Sequence, residues 1–444
     1  MKLTTSYKVK IKHDNGVLQQ TVNLYRQAED YFIELILKEW DLFANVKCTN
    51  GAQSIAEQLS ISTEKHPDPK YDFDKKFVKF PSYLRRAVIN KAYGAVKSYK
   101  TRLASWEDSD PMTRGAAPGY PKSGYSYPTL YKGNMYEQTG TYTAKIKVWI
   151  RNTWDWLELE LKKGDVDYIR RRCKDRKVCA PTLQKTGKEW FLTFPFEENV
   201  TLPKVAIMEQ KILAVDLGIN SACTCVIMRS DGAVLGRHFL SLPKEYDCLQ
   251  RRIDRIKRAQ RCGSRCIRNL WLYADNTNQD IAVKTAQYIV DIAMMYNVDT
   301  IVFEHLDLHG KKRGSKKQKL ALWRARSVQD MAMLKAHRAG IRVNTVNAWG
   351  TSRLAFDGSG EVLRGKDAGF ESYSICRFTT GKIYNCDLNA AYNIGSRYFV
   401  REISKTIRAT RWQRIAAKVP GCAKRSTCVL ATLISLNAEL YAAA

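Results

Sequence analysis

The sequence predicts a bilobed, multidomain chain of α/β and α+β type: a β-rich N-terminal domain with a helical lobe inserted into it, then a C-terminal α/β domain. Three observations carry this. The chain has 444 residues with 45% apolar and 26% charged side chains, enough apolar material for two or three cores and ordinary globular proportions. The hydropathy period is two over residues 5–12 and 131–200 but helical across 17–105. From residue 211 the order of elements becomes strand, hairpin, helix, strand, helix, strand and a last helix.

In the N-terminal half, TSYKVKIK (5–12) alternates and reads as a strand. Next, VNLYRQAEDYFIELILKEW sets Leu24, Ala28, Tyr31 and Leu35 on one helical face. PSYLRRAVINKAYGAVKSYKTRLASWE repeats Leu84, Val88, Ala92 and Val96 at helical spacing, with Arg85, Arg86, Lys91, Lys97 and Lys100 largely elsewhere around it. Residues 106–130, rich in Gly, Pro and Ser, form a linker. TAKIKVWI, DWLELEL and EWFLTFPF then alternate as strands, with KKG (162–164) and KTG (185–187) as turn signals between them.

In the C-terminal half, KILAVDLG is an apolar strand carrying one carboxylate, and ACTCVIM and AVLGRHFL flank a hairpin turn at RSDG. A basic helix spans 244–270 and an amphipathic one 278–296. TIVFEHL is a buried strand ending in a carboxylate, and IRVNTV (341–346) is another strand. Residues 349–386 are Gly-rich and irregular, and a final helix starts near Asp387. Three antiparallel strands, then helix, strand, helix, strand and helix is the order of an RNase-H-like fold. The end, 405–444, reads as a basic helix, a PGCAKRST break and a helix striped by Val429, Leu430, Leu433, Leu436 and Leu440.

Lys plus Arg number 73 against 44 Asp plus Glu, a formal net charge of +29. A folded chain tolerates that self-repulsion best against a polyanion, and nucleic acid is the commonest one. No apolar run reaches the roughly 20 residues of a membrane span, and MKLTTSYKVK lacks the apolar stretch of a secretory signal, so a prokaryotic cytoplasmic location is expected, with the twelve cysteines as thiols. No C-x-x-C pair exists. Cys223 and Cys225 read as strand core, and Cys262 and Cys266 as sharing a helix face with no second ligand pair nearby.

Three carboxylates stand in unusual settings. Asp216 and Glu304 each end an apolar strand, and Asp387 opens a helix of small residues. A buried carboxylate is costly unless something compensates it, and magnesium, with its preference for hard oxygen ligands and phosphate, compensates several at once. Two such ions stabilise the attacking water and the leaving oxygen in a displacement at phosphorus. Taken singly, each acid also reads as an ordinary turn or helix-capping residue.

AVDLGIN (214–220), IVFEHL (301–306) and CDLNAAYNIG (386–395) resemble the three RuvC motifs of the compact type V CRISPR effector nucleases and the TnpB proteins. The third carries Asp387, Asn389, Ala390, Ala391, Asn393 and Ile394 in the family's D-x-N-[AG]-A-x-N-I pattern. The resemblance is strong over 211–404 and looser before it. It implies a wedge domain (1–16 and 106–205), a helical recognition lobe (17–105), a RuvC nuclease domain (206–348 and 387–404), a target-nucleic-acid-binding insert (349–386) and a basic helical tail (405–444). It also implies an RNA-guided DNA endonuclease in which Asp216, Glu304 and Asp387 bind two magnesium ions and catalyse cleavage. The implied partners are a guide RNA, from a CRISPR array or a transposon end, and double-stranded target DNA, engaged by a monomer or by a homodimer on one RNA.

The family's zinc ribbon opens T-S-x-x-C-x-x-C-G, whereas this chain has TSRLAFDGSG at 351–360 and keeps only Cys376 and Cys386, too few thiols for a closed zinc site. No zinc is expected. Some relatives use an arginine of this insert at the scissile phosphate, and Arg353, Arg364 and Arg377 are equal candidates.

The basic helix presents Arg251, Arg252, Arg255, Arg258, Arg261 and Arg265, together with Lys257 and Arg268, around a stripe of Leu249, Ile253, Ile256 and Cys266, which suits phosphate contact or a solvated face. Lys311, Lys312, Arg313, Lys316 and Lys317 in GKKRGSKKQK suit a loop that tracks single-stranded DNA or one that is simply exposed. Trp40, Tyr83, Tyr99, Trp149, Trp154 and Trp156 suit base stacking or core packing. Two other functions fit the sequence less fully: a guide-directed DNA binder that represses transcription without cutting, and a junction resolvase or transposase, which leaves the first 200 residues unexplained.

Overall fold

The computed structural model describes all residues except 13–14, 65–66, 113, 220, 265, 307–316, 423, 425 and 443–444. The chain divides into two compact units, Lys2–Asn199 and Val200–Ala444, the second joined by Met1.

The first unit begins with β1 (Lys2–Lys12), followed by helices α1 (Asn15–Lys38), α2 (Trp40–Phe43), α3 (Thr49–Ser60), α4 (Phe73–Lys76) and α5 (Ser82–Glu107). Strands β2 (Tyr136–Gln138), β3 (Thr143–Ile150) and β4 (Thr153–Leu161), helix α6 (Lys163–Arg172) and strands β5 (Lys177–Val178), β6 (Thr182–Thr186) and β7 (Glu189–Asn199) complete it. The sheet runs β2-β3-β4-β1-β7-β5, with β6 also paired to β7. Leu84, Val88, Ala92 and Val96 are fully buried, as their spacing predicts. They share one hydrophobic cluster with Val9, Val148, Leu192 and Phe196 from the strands. The KKG segment expected as a turn instead opens α6. Val166 is buried in the core, and Asp165 accepts from Lys10 N at 3.1 Å. The helix is short and its charged residues hide the period. KTG does turn, with Gly187 at φ +63° between β6 and β7.

The second unit opens with β8 (Lys211–Asp216), β9 (Cys223–Arg229) and β10 (Val234–Leu240), then α7 (Pro243–Arg261) and α8 (Arg268–Met295). Next come β11 (Thr300–His305), α9 (Lys317–Leu322), α10 (Ala325–Arg338) and β12 (Arg342–Asn347). The expected single helix over 244–270 is broken. Gly263, at φ +71°, adopts the left-handed conformation that ends a helix, and α8 starts ten residues earlier than the expected 278. Cys262 and Cys266 are therefore exposed in the connection, off the stripe of Leu249, Ile253 and Ile256 and sharing no helix face.

The five-stranded sheet has the order β10-β9-β8-β11-β12, with β8 antiparallel to β9 and parallel to β11. This is the RNase-H-like arrangement. Alternate residues separate two layers. Leu213, Val215, Ile301 and Phe303 pack with α8 and α10, while Ile212, Ala214, Val302 and Val346 pack on the other face.

That other face is covered by α11 (Cys386–Thr406), which lies beneath α12 (Ala409–Lys418) and α13 (Leu430–Ala442). Ile415, Val419, Leu430, Leu433 and Leu436 of the last two helices and their connection thus join this unit's core, with Leu433 and Leu436 fully buried. The insert expected to be irregular forms a small antiparallel sheet of β13 (Leu363–Arg364), β14 (Ile375–Arg377) and β15 (Ile383–Asn385). Its strands are too short to show a period. Ala355, Cys376, Phe378 and Cys386 make its core.

Gly395 sets how closely α11 approaches the sheet. A Cβ there would lie 2.6 Å from Met228 Sδ and 3.3 Å from Ala214 Cβ. Gly395→Val is expected to cost about 1–3 kcal/mol, read as a lower melting temperature together with faster hydrogen exchange along 386–406. Unchanged exchange there would show that this close approach does not seat the helix.

Candidate active site

Asp216 ends β8 and Glu304 lies one residue from the end of β11. The parallel register pairs Ala214 with Val302 and Val215 with Phe303, so the next step sets Asp216 beside Glu304. Side chains alternate along a strand. Both acids therefore lie on the side of Ala214 and Val302, the side that α11 covers. Asp387 stands in the first turn of α11. The helix is capped by Asn385, whose side chain accepts from Asp387 N at 2.9 Å and Leu388 N at 3.0 Å. The Asp387 carboxylate is therefore not used as the cap.

All three carboxylates are half-buried, and all three are held above the ordinary carboxylate range. For Asp216 burial is the main cause, and the charges of Glu304 and then Asp387 add to it, while Arg364 opposes. For Glu304 burial again leads, opposed by the hydrogen bond from Thr351 and the charge of Arg397. For Asp387 burial leads and Arg364 opposes. The trio shares one electrostatic neighbourhood. Among the described residues, however, no group of three or more His, Cys, Asp or Glu side chains is close enough to hold a metal ion. Like charges repel without a counter-ion between them. The donor set is nonetheless of the right kind for a hard divalent cation, because all three groups offer carboxylate oxygen and all three lack full compensation.

A family described as "Probable transposase" matches residues 194–309, which contain Asp216 and Glu304, and one described as "Aq_aa04 family" matches 5–150. The "TnpB-like protein aq_aa05" of Aquifex aeolicus (strain VF5) is 26% identical over 233 residues, 48% of this chain and 74% of that protein. The chain is thus similar to a TnpB-like protein over about half of its length. A second protein of the same organism, "Uncharacterized protein aq_aa04", is 26% identical over 126 residues, 26% of this chain and 70% of its own. Among solved structures, a Cas12f1–sgRNA–target DNA complex aligns with TM-score 0.46 at 13% identity, covering 88% of this chain and 98% of that one. Alicyclobacillus acidoterrestris C2c1 with single-guide RNA aligns at TM-score 0.41 and 10% identity, covering 86% and 70%.

Of the three insert arginines, Arg364 is the one whose charge reaches Asp216 and Asp387. Its Nε is buried with no hydrogen-bond partner among the described residues, and its Nη2 donates to Tyr373 O at 3.3 Å. Arg353 pairs with exposed Glu361 at 3.6 Å, and Arg377 lies over the Phe370 ring. Cys376 and Cys386 are each other's hydrogen-bond partner, which raises the first thiol and lowers the second to about 7.

On α7, Arg251, Arg255, Arg258 and Arg261 are exposed, whereas Arg252 is drawn against Tyr273, donating to its carbonyl. Lys257 pairs with Asp254 at 3.7 Å. Arg265, Lys311, Lys312, Arg313 and Lys316 lie outside the described residues, and Lys317 opens α9. Trp154 is core, and lysines cover other aromatics: Lys145 lies over Trp156 at 4.9 Å and Lys100 over Trp40 at 5.7 Å. Tyr99 is buried, Trp149 packs against the core, and Tyr83 is exposed beside Tyr131. No helix among the described residues is long and apolar enough to cross a membrane.

Two residues beside Glu304 were invisible to motif reasoning. Thr351 sits in the segment compared with the zinc ribbon, and Arg397 lies beyond the third motif. The spacing of four between Asn389, Asn393 and Arg397 was the available signal.

Because the three acids are raised in the folded state, the folded chain keeps protons that the unfolded chain has released. Metal-free stability therefore falls as pH rises from about 4 through the raised values. Asp216→Asn is expected to raise the melting temperature in chelator at pH 8 by about 2–4 °C, the shift that ~1 kcal/mol gives a unit of this size. The gap should narrow at pH 5. Thermal scans showing no gain at pH 8 would mean that the acids do not strain the metal-free fold.

Proposed function

We propose that the chain is an RNA-guided DNA endonuclease that cuts at Asp216, Glu304 and Asp387. The observation that carries the cutting step is the alignment of Asp216 with Glu304 on adjacent parallel strands, under the helix that begins with Asp387. Asp216, Glu304 and Asp387 would hold divalent ions there, which would supply Lewis-acid chemistry for phosphodiester hydrolysis. Two magnesium ions, held by these three residues, fit the oxygen-only donor set.

The chain's own residues do the rest. The carboxylates would hold the ions in a half-buried setting where charge acts strongly. Arg364, with a buried donor and its charge next to the acids, is placed to meet the anionic scissile phosphate. The exposed arginines of α7 offer phosphate contacts along a helix. The guide-RNA assignment is supported by the motif resemblance, by the homology to a TnpB-like protein and by the net charge of +29. In this reading pairing to the guide selects the sequence, and the protein reads a short flanking motif and duplex shape. Whether the RNA comes from a CRISPR array or a transposon end is decided by the genomic neighbourhood.

One observation favours a guide-directed binder that does not cut: the acids are not already gathered around an ion-sized point. Cleavage separates the two. Protein purified from cells carrying its locus is expected to bring a discrete RNA with it and to cleave matching plasmid in magnesium. Asp216→Ala should lower that rate by roughly a thousandfold or more while binding persists. Equal nicking by both proteins would leave the binder, and absence of a discrete RNA would remove the guided function. Replacing Arg255 and Arg258 with alanine should weaken nucleic-acid binding across sequences. It should also flatten the salt dependence by about one unit of slope for each phosphate no longer neutralised. An unchanged salt slope would assign α7 to solvent.

A further inference from the structure

Helix α11 carries more than Asp387. Asn389, Asn393, Arg397 and Arg401 are spaced by four and form one row along it. Each donates to the main chain of residues 345–354, which passes the helix in the opposite direction. Asn389 Nδ2 meets Leu354 O at 2.8 Å, and Asn393 Nδ2 meets Leu354 O at 2.8 Å and Thr351 O at 2.9 Å. Arg397 Nη1 meets Trp349 O at 2.7 Å and Asn347 O at 2.8 Å, and Arg401 Nη1 meets Thr345 O at 2.6 Å. Asn389 also accepts from Phe356 N at 2.8 Å. Arg397 is 4% exposed and gives its other donors to Ser426 O at 2.5 Å and Cys428 O at 3.2 Å.

Backbone carbonyls packed against a buried helix need partners, and a strand followed by an irregular segment has few of its own. The row supplies them at fixed steps and so sets the register of the segment against the helix. What that register places is Thr351. It is 3% exposed, its hydroxyl donates to Glu304 Oε1, and the same hydroxyl lies 3.0 Å from Ala348 O. An ionised carboxylate is the stronger acceptor of the two. A hydrogen bond to one oxygen restrains the rotation of the Glu304 carboxylate and leaves Oε2 for another partner.

We propose that Thr351 is the positioning residue of Glu304, set in place by the row Asn389–Asn393–Arg397–Arg401, so that α11 carries one acid of the site and orients a second. The proposal rests on the nuclease function above, in that Glu304 is taken to hold an ion. It adds a requirement for one hydroxyl at one position.

Manganese binding to the full chain, followed by calorimetry, tests it without relying on cleavage. Thr351→Val keeps the shape and removes the donor, and is expected to weaken Mn²⁺ binding about tenfold with little change in melting temperature. Thr351→Ser restores the donor and should bind within about twofold of the parent. Asn393→Ala, which frees Thr351 O, should fall between. In cleavage, Thr351→Val should lower kcat and raise the Mg²⁺ requirement while KM for DNA holds. If Asp216→Ala loses Mn²⁺ and Thr351→Val binds it like the parent, the nuclease function stands and this proposal falls. Equal losses in Thr351→Val and Thr351→Ser, with lowered melting temperatures, would make Thr351 merely structural and also overturn it. If Asp216→Ala leaves Mn²⁺ binding unchanged, the ion site itself is wrong and the proposal goes with it.

Discussion

Three half-buried carboxylates on one side of a sheet set the terms for the second unit. Each is costly to ionise where it stands, and the charges of Glu304 and Asp387 make Asp216 costlier still. Two arginines moderate this from different parts of the chain. Arg364 of the insert acts on Asp216 and Asp387, and buried Arg397 of α11 acts on Glu304. Two cations against three anions leave the site short of positive charge, and a divalent ion is the economical way to supply it. The surrounding architecture works to keep the acids together in spite of their repulsion.

That work is done by ordinary packing. The parallel pairing of β8 with β11 is driven by Leu213, Val215, Ile301 and Phe303 on one face and by Ile212, Ala214 and Val302 on the other. The acids come at the ends of these runs, where the strands leave the core. Helix α11 is buried along most of its length, and Gly395 lets it lie close to Ala214, two residues before Asp216. Helix α13 closes over α11 from the far side through Leu433 and Leu436. A segment that reads as a tail is therefore part of what holds Asp387 against the sheet.

The insert shows the same economy. Its three short strands enclose Cys376, Cys386 and Phe378, with Phe356 and Tyr384 packed on them. Cys386 is also the first residue of α11, so the insert's core and the helix bearing Asp387 are continuous. Arg364 on β13 is thereby carried next to the acids, whereas Arg353 and Arg377 turn to other partners.

Much of this was legible in the residues alone. An apolar strand that ends in a single carboxylate, twice over, and a helix of small residues opening on a third are patterns that alternation and spacing reveal directly. The order of strands and helices along the second half was legible too, and with it the RNase-H-like fold. Local pattern failed where charge or brevity hid the period, in α6 and in β13 to β15, and where Gly263 split a helix whose basic residues ran on across the break. It could not choose Arg364 among three arginines, nor find Thr351 and Arg397, because their importance lies in interactions between residues tens of positions apart. Sequence determines which side chains can bear the chemistry and which face of a strand or helix they occupy, since those depend on local geometry. Only the tertiary structure decides which of them meet, because that depends on how closely helix and sheet can approach and on which buried donors find which carbonyls.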